Sequence, residues 1–237
     1  MTDEPKEDHL QEFLSDDLRA SFLNEISLIG TDFRHQAFLS SFRVWGHDPS
    51  APAQDLNSLL EKDGIDPSSS LGMAMFSLRD QYIQEFGFCV PTKPFVDRLA
   101  QIGPLLEVGA GQGYLAKLIK NAGGDIISTD LHPHDPQSNW VKVLEMDAQT
   151  AISEFPGRTL LSSWPSRGDD WLTKAIKVLP KDQNVIIIGE GPTGCTGSRC
   201  LFNLIGNQMV QDDTLLADTD VWRFPRIHDT AQAFRRQ

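Results

Sequence analysis

The sequence predicts an α/β chain built on an open parallel sheet, and three observations predict it. Residues 105–108, Leu-Leu-Glu-Val, form an apolar run that opens directly into glycines at 109, 111 and 113, which reads as strand, tight turn and helix start. A second apolar run ends at Asp130 after the glycine pair Gly123-Gly124. The alternation then continues to 184–189, Asn-Val-Ile-Ile-Ile-Gly, a continuous apolar strand of the kind buried on both faces.

Each element has its own justification. The helix after the glycine turn carries Leu115, Leu118, Ile119 and Ala122 on one face, and Gly123-Gly124 can end it. Residues 125–129 then form a second strand that delivers Asp130 to the carboxyl edge of the sheet, 21 residues after Gly109 (130 − 109). Residues 141–146 read as a third strand ahead of Asp147-Ala148, and 159–163 as a fourth. Residues 169–179 form a helix stopped by Pro180, and 198–205 a shorter one. From about Val210 the chain supplies two antiparallel strands, with 231–235 the last.

Glycine permits positive φ and close approach of main chain to a ligand. The helix that follows aims its unpaired amides into the same crevice. A dinucleotide fingerprint needs G-x-G-x-x-G, whereas this loop is G-x-G-x-G with an acid, Glu107, ahead of it. An acid placed like Asp130 can accept both hydroxyls of a ribose.

These residues resemble the class I S-adenosylmethionine (SAM)-dependent methyltransferases, over about Pro91 to the C-terminus. The first motif of that family, E/D-x-G-x-G-x-G, is matched by Glu107, Gly109, Gly111 and Gly113, with Ala110 and Tyr114 inside or beside it. The acid of its second motif is matched by Asp130, followed by Leu131, and the acid plus small residue of its third by Asp147 and Ala148. The resemblance implies a Rossmann-like seven-stranded methyltransferase sheet and SAM as cofactor. It implies that the second acid holds the ribose and the third motif the adenine, and that Ser163 and Trp164, ending the fourth strand, border the methyl group.

A narrower set of runs is similar to a group of small, largely uncharacterised bacterial and fungal methyltransferases. The runs are residues 87–91, the G-A-G-Q-G-Y stretch, Trp164-Pro165, Gly189-Glu190, residues 194–197 and residues 227–229. This chain departs from that group at 87–91, Gly-Phe-Cys-Val-Pro in place of S-W-A-I-P, and at 164–167, Trp-Pro-Ser-Arg in place of W-P-P-Y/W. Ser163-Trp164-Pro165-Ser166 also lacks the amide or acid that opens the (N/D)-P-P-(Y/F) loop of amino-group methyltransferases, which argues against adenine, cytosine and glutamine as acceptors.

Composition narrows the classes. Among 237 residues, 40% are hydrophobic and 23% charged, as in an ordinary globular protein. No apolar run approaches the length of a membrane span, and no hydrophobic signal region opens the chain, so a cytoplasmic location and no membrane partner are expected. The net charge of −12, with no basic stripe, argues against nucleic acid as partner. Cys89, Cys195 and Cys200 have no metal-ligand spacing and read as small buried thiols, with Cys195 in a glycine-rich loop that could reach a pocket. His132 and His134 lack a third ligand, so no metal site is expected.

The domain division expected is 1–90, an N-terminal helical cap or lid, and 91–237, the SAM-binding domain. Residues 1–8 read as disordered. Residues 10–29 carry apolar positions at helical spacing, as do Phe33, Ala37, Phe38, Phe42 and Trp45, and a further helix covers about 70–86. Such a layer can shelter a reactive methyl from water or form a homodimer. In the site, His228 is a candidate general base with Asp229 to orient it, and Glu190 a second catalytic candidate. Tyr82, Phe86 and Trp164 are candidate acceptor contacts. The function expected is methyl transfer to oxygen or nitrogen of a small molecule. A SAM-using or SAM-binding protein without methyl transfer, and an NAD-dependent oxidoreductase, are the alternatives.

Overall fold

The computed structural model describes residues 79–237 apart from 81, 218 and 224–226. The chain divides into two compact units, residues 1–79 and 80–237. The N-terminal helices expected over 10–78 lie outside the described residues, and the account below concerns the second unit. That unit includes residues 82–90, which the sequence reading grouped with the cap.

The elements, in chain order, are β1 (Val90–Pro91), α1 (Lys93–Ile102), β2 (Leu105–Val108), α2 (Tyr114–Asn121), β3 (Ile126–Asp130), β4 (Val143–Glu145), α3 (Ala148–Glu154), β5 (Thr159–Ser163), α4 (Trp171–Val178), β6 (Asn184–Gly189), α5 (Arg199–Gln208), β7 (Met209–Gln211), α6 (Asp213–Leu216), β8 (Val221–Trp222) and β9 (Thr230–Arg236). Seven of the strands form one sheet in the order β4-β3-β2-β5-β6-β9-β7. Strands β4, β3, β2, β5 and β6 are parallel, and β9 runs antiparallel to both of its neighbours, β6 and β7. This is the Rossmann-like seven-stranded mixed sheet that the sequence predicts.

The strand order reverses at β2. Its chain continues to β3 on one side, while β5 pairs on the other. A crevice opens beyond the carboxyl ends of strands at such a switch point, so β2, β3 and β5 deliver their last residues to one place.

Helices flank the sheet. Helix α3 packs on α4 and α4 on α5, while α1 packs on α2 and α6. Leu106, Val108, Leu160, Val185, Ile187 and Phe234 of the sheet meet Ile152, Leu172, Ile176, Leu201 and Leu204 of the first helix group in one core. Burying each such side chain stabilises by roughly 1.5–3 kcal/mol. Strand β2 is buried along its whole length, which is why 105–108 reads as a run and not as an alternation.

Local chemistry fixes the helix ends. The Thr92 hydroxyl accepts from the Phe95 amide to start α1, where Pro94 sits in the first turn. Helix α2 stops in a Schellman motif: the Gly123 amide donates to Lys120 O and the Gly124 amide to Ile119 O, with Gly123 at φ 86°. Ser198 caps α5 by accepting from the Leu201 amide.

Three details differ from the sequence reading. The third strand is shorter than 141–146, because Trp140 and Val141 are drawn toward the glycine loop: the Trp140 amide donates to Gln112 O, and the Val141 side chain lies where a Cβ on Gly113 would point. Helix α5 runs on to Gln208 instead of stopping at 205. A separate ribbon, Val90 opposite Trp222 and Pro91 opposite Val221, joins the start of the unit to its C-terminal part.

Candidate functional site

A cavity of about 370 Å³ opens at the switch point, within the ~300–1,000 Å³ span of small-ligand sites. One wall is the loop after β2 together with Glu107, Asp130, Tyr114 and Leu115. Another is the segment 83–89, and Ser163 and Trp164 from the end of β5 complete it.

The glycine loop is closed by its own hydrogen bonds. The Ala110 amide donates to Thr129 O (3.1 Å), the Gly111 amide to Asp130 Oδ2 (2.9 Å) and the Gly113 amide to Ala110 O (2.9 Å). Asp130 Oδ1 accepts from the His132 amide (2.9 Å). This carboxylate therefore locks the loop to the end of β3 while facing the cavity. Gly111 and Gly113 both have left-handed φ, 56° and 78°. A Cβ on Gly113 would lie 2.6 Å from Val141 Cγ2, whereas one on Gly111 would meet nothing within 4 Å. Gly113 is thus required for packing, and Gly111 leaves cavity space that a side chain would fill.

Glu107 is 2% exposed, and Ser128 Oγ donates to its Oε2 (2.9 Å). Burial raises its carboxyl to about 7; the Ser128 hydroxyl opposes that rise and the charge of Asp130 adds to it. Among the described residues no Lys or Arg lines the cavity, so its charged lining is Glu107 and Asp130, with His134 beside them.

The segment 82–89 is held onto the glycine loop by aromatic packing. Phe86 lies 4.8 Å from Tyr114 and 5.8 Å from Trp140, Tyr82 lies 5.0 Å from Phe86, and Tyr114 meets Trp140 at 4.9 Å. Such ring pairs contribute about 0.5–1.5 kcal/mol each beyond their burial. Trp140 bridges the two walls, its indole N–H donating to Glu85 O (3.1 Å) and its amide to Gln112 O (2.9 Å).

At the β5 end, Trp164 has φ 51°, a conformation that bulky residues rarely adopt. Its amide donates to Ile188 O (2.8 Å), and its indole N–H to Asp229 Oδ2 (3.0 Å). Phe88 stacks on the indole, centroids 4.9 Å apart and planes 18° apart. Cys89, buried beside Ser163, has its thiol pushed up by burial and by the charge of Asp229.

The structure brings together Glu107, Gly109, Ala110, Gly111, Tyr114, Asp130, Ser163, Trp164 and Phe86 around the cavity. Gly113 serves the loop from behind. Leu131 is 55% exposed and outside the lining, as are Asp147 and Ala148. The Asp147 carboxylate caps α3, accepting from the Gln149 and Thr150 amides (3.0 Å each) and from the Thr150 hydroxyl, which lowers its pKa. Tyr82 is fully buried and donates to Cys89 O (3.3 Å), so it supports Phe86 from outside the cavity.

Neither catalytic candidate faces the cavity. His228 is exposed, and Asp229 accepts from Trp164, the partner found in place of the expected imidazole. Glu190 joins two loops, accepting from the Cys195 amide (2.7 Å) and the His228 amide (3.2 Å). Burial opposes ionisation of Glu190, but those hydrogen bonds hold its carboxyl below the usual range. Of the cysteines, Cys195 and Cys200 are exposed, contrary to expectation, and the thiol at the cavity is Cys89. Among the described residues no group of three metal-ligating side chains occurs, and no helix is long and apolar enough to cross a membrane.

Phe88, Cys89, Gln84, Gln112 and Trp140 escaped the sequence reading as site residues. The run 87–91 did carry a signal, since it precedes β2 and departs from the pattern it otherwise resembles. Trp140 sits in a loop with no periodicity and gave none.

No protein-family model matches this chain, and no curated protein does. Among solved structures, the chain is similar to the 23S rRNA methyltransferase ErmE at 16% identity, covering 61% of this chain and 66% of that one, with a TM-score of 0.38. It is similar to a chain from a structure described as conversion of a disulfide bond into a thioacetal group during echinomycin biosynthesis, at 14% identity (69% and 93% covered, TM-score 0.43). It is similar to a TehB-like SAM-dependent methyltransferase from Corynebacterium glutamicum at 14% identity (71% and 100% covered, TM-score 0.40). At these scores the likenesses bear on neither substrate nor cofactor. The fold class rests on the strand order of the seven-stranded mixed sheet, β4-β3-β2-β5-β6-β9-β7.

Proposed function

We propose that the chain is a class I SAM-dependent methyltransferase acting on oxygen or nitrogen of a small molecule. The observation that carries this reading is the loop after β2. Its amides at 110, 111 and 113 all donate within the protein, and the acids beside it are matched by no Lys or Arg in the described lining. A dinucleotide needs such amides for its diphosphate. A cavity with two carboxylates instead favours a ligand carrying cationic groups and a ribose, as SAM does.

The residues present fit that ligand. Asp130 retains acceptor capacity beyond its two amide donors and is suited to ribose hydroxyls. Glu107 supplies a buried negative charge when ionised. Gly111 leaves room at closest approach, and Ser163 and Trp164 border the methyl end. Asp147, committed to capping α3, is proposed as a weaker contact to the base, with Leu131 and Ala148 as its apolar neighbours. When bound, the cofactor supplies a sulfonium-activated methyl that an acceptor lone pair takes up in line as the carbon–sulfur bond breaks. The chain's contribution is alignment and exclusion of water, which the segment 82–89 provides on one side. The cytoplasmic location, the homodimer and the likeness to small bacterial and fungal methyltransferases stand as parts of this proposal.

Incubation of the full chain with methyl-labelled SAM and a fractionated small-molecule extract tests it. Label is expected in a small acceptor and absent from protein and nucleic acid fractions. SAM binding without label transfer to any fraction would favour the non-transferring alternative.

A further inference from the structure

Resting on that reading, we infer that Phe88, laid flat on Trp164, is the platform for the methyl acceptor, and that the acceptor is a flat, uncharged aromatic molecule. Phe88 is 45% exposed between buried neighbours, Phe86 at 5% and Cys89 at 6%, and it lines the cavity. One face of its ring is covered by the indole of Trp164 at 4.9 Å and 18°. The stack beneath is fixed before any ligand arrives. Asp229, 2% exposed, accepts from the indole N–H, and the Trp164 amide is tied to β6. A rotatable aromatic pair would lose freedom on binding; an anchored one does not.

Charge selects within the aromatic class. The other groups at this end of the lining, Cys89 and Ser163, are neutral. The lining carboxylates Glu107 and Asp130 would repel an anion, and no Lys or Arg in the described lining would meet one. With the cofactor bound, Glu107 and Asp130 are committed to it, and Asp229 behind the stack is engaged by the indole, so a cationic acceptor gains no carboxylate partner from these three. Stacking on an aromatic face needs neither sign of charge and prefers a planar partner.

Calorimetric titration of the full chain with four probes of one size tests this: 2-naphthol, its saturated decahydro counterpart, 2-naphthoate and 2-(aminomethyl)naphthalene, each with and without saturating S-adenosylhomocysteine. The expected result is that 2-naphthol binds about tenfold more tightly than the other three. Phe88→Leu, which keeps apolar area but loses the flat face, should weaken 2-naphthol about tenfold, and Phe88→Tyr should preserve it. Neither variant should change S-adenosylhomocysteine affinity more than about twofold. Equal binding of the planar and saturated probes, tighter binding of either charged probe, or a Phe88→Leu effect on the cofactor product instead of the naphthol would each overturn the inference. Failure of S-adenosylhomocysteine to bind would instead count against the methyltransferase reading, and the naphthol arms run without it would still judge the platform.

Discussion

Residues 107–130 build one wall of the cavity from a single stretch of chain, whereas the other sets Phe88 and Trp164 in the lining and Asp229 behind them, from three. In the first, the anchoring bonds link β2, its loop and β3: Gly111 to Asp130, Ala110 to Thr129, and Ser128 to Glu107. In the second, the indole just after β5 reaches a carboxylate just before β9 and a ring just before β1. Local construction lets a glycine pattern announce the first wall. The second exists only after the strands have assembled, and there no residue's neighbours along the chain reveal its role.

The largest test of this contrast is Gly113→Ala. Left-handed φ and a Cβ at 2.6 Å from Val141 together should destabilise the fold by roughly 2–5 kcal/mol, read as a lowered denaturant midpoint. Gly111→Ala should cost only about 1–2 kcal/mol of stability, yet weaken S-adenosylhomocysteine binding more than Gly113→Ala does in the folded fraction, because its Cβ enters the cavity. Equal losses of stability in the two variants would erase the distinction between a packing glycine and a ligand glycine.

Next comes Glu107. With its value near 7 in the fold against an ordinary 4.5, the native state binds more protons than the unfolded chain between those limits. Stability from this residue is therefore greatest below pH 4.5, falls as pH rises to about 7, and is level above. The full effect is on the order of 3 kcal/mol. Glu107→Gln should be more stable than the parent at pH 8, and its stability profile from pH 4.5 to 7 should flatten relative to the parent. An unchanged slope would mean that this carboxyl is hydrated in solution.

Asp130→Ala removes the acceptor of two loop amides. Hydrogen bonds to a charged group contribute about 1.5–3 kcal/mol, so S-adenosylhomocysteine affinity should fall about tenfold to a hundredfold by calorimetry. The smallest effect is expected at His228, whose side chain is exposed and away from the cavity. His228→Ala should leave stability within about 0.5 kcal/mol and methyl transfer unchanged; a loss of transfer would restore the histidine as a base.

Much of the sheet was legible because its strands are buried on both faces and bounded by breakers. Thr159–Ser163 and Asn184–Gly189 occupy the residues expected of them. The ribbon of Val90 with Trp222 was not, since two residues have no period to detect and the partners are remote in sequence. Within the site, Glu107 and Asp130, singled out by the glycine loop, the strand ends and the motif resemblance, both line the cavity. His228 followed by Asp229 reads as a catalytic pair, whereas in the fold the acid accepts from an indole, and neither His228 nor Glu190 is in the cavity lining. Asp147 lies outside the cavity lining because an acid at the end of a strand is also a good helix cap, and here α3 begins one residue later.

The central claim is that the glycine loop cradles a cationic adenosyl ligand and offers no diphosphate site. Side-by-side calorimetric titration with SAM and with NAD tests it most directly. One-to-one binding of SAM with no detectable heat from NAD is the result predicted; binding of NAD with SAM excluded would contradict it.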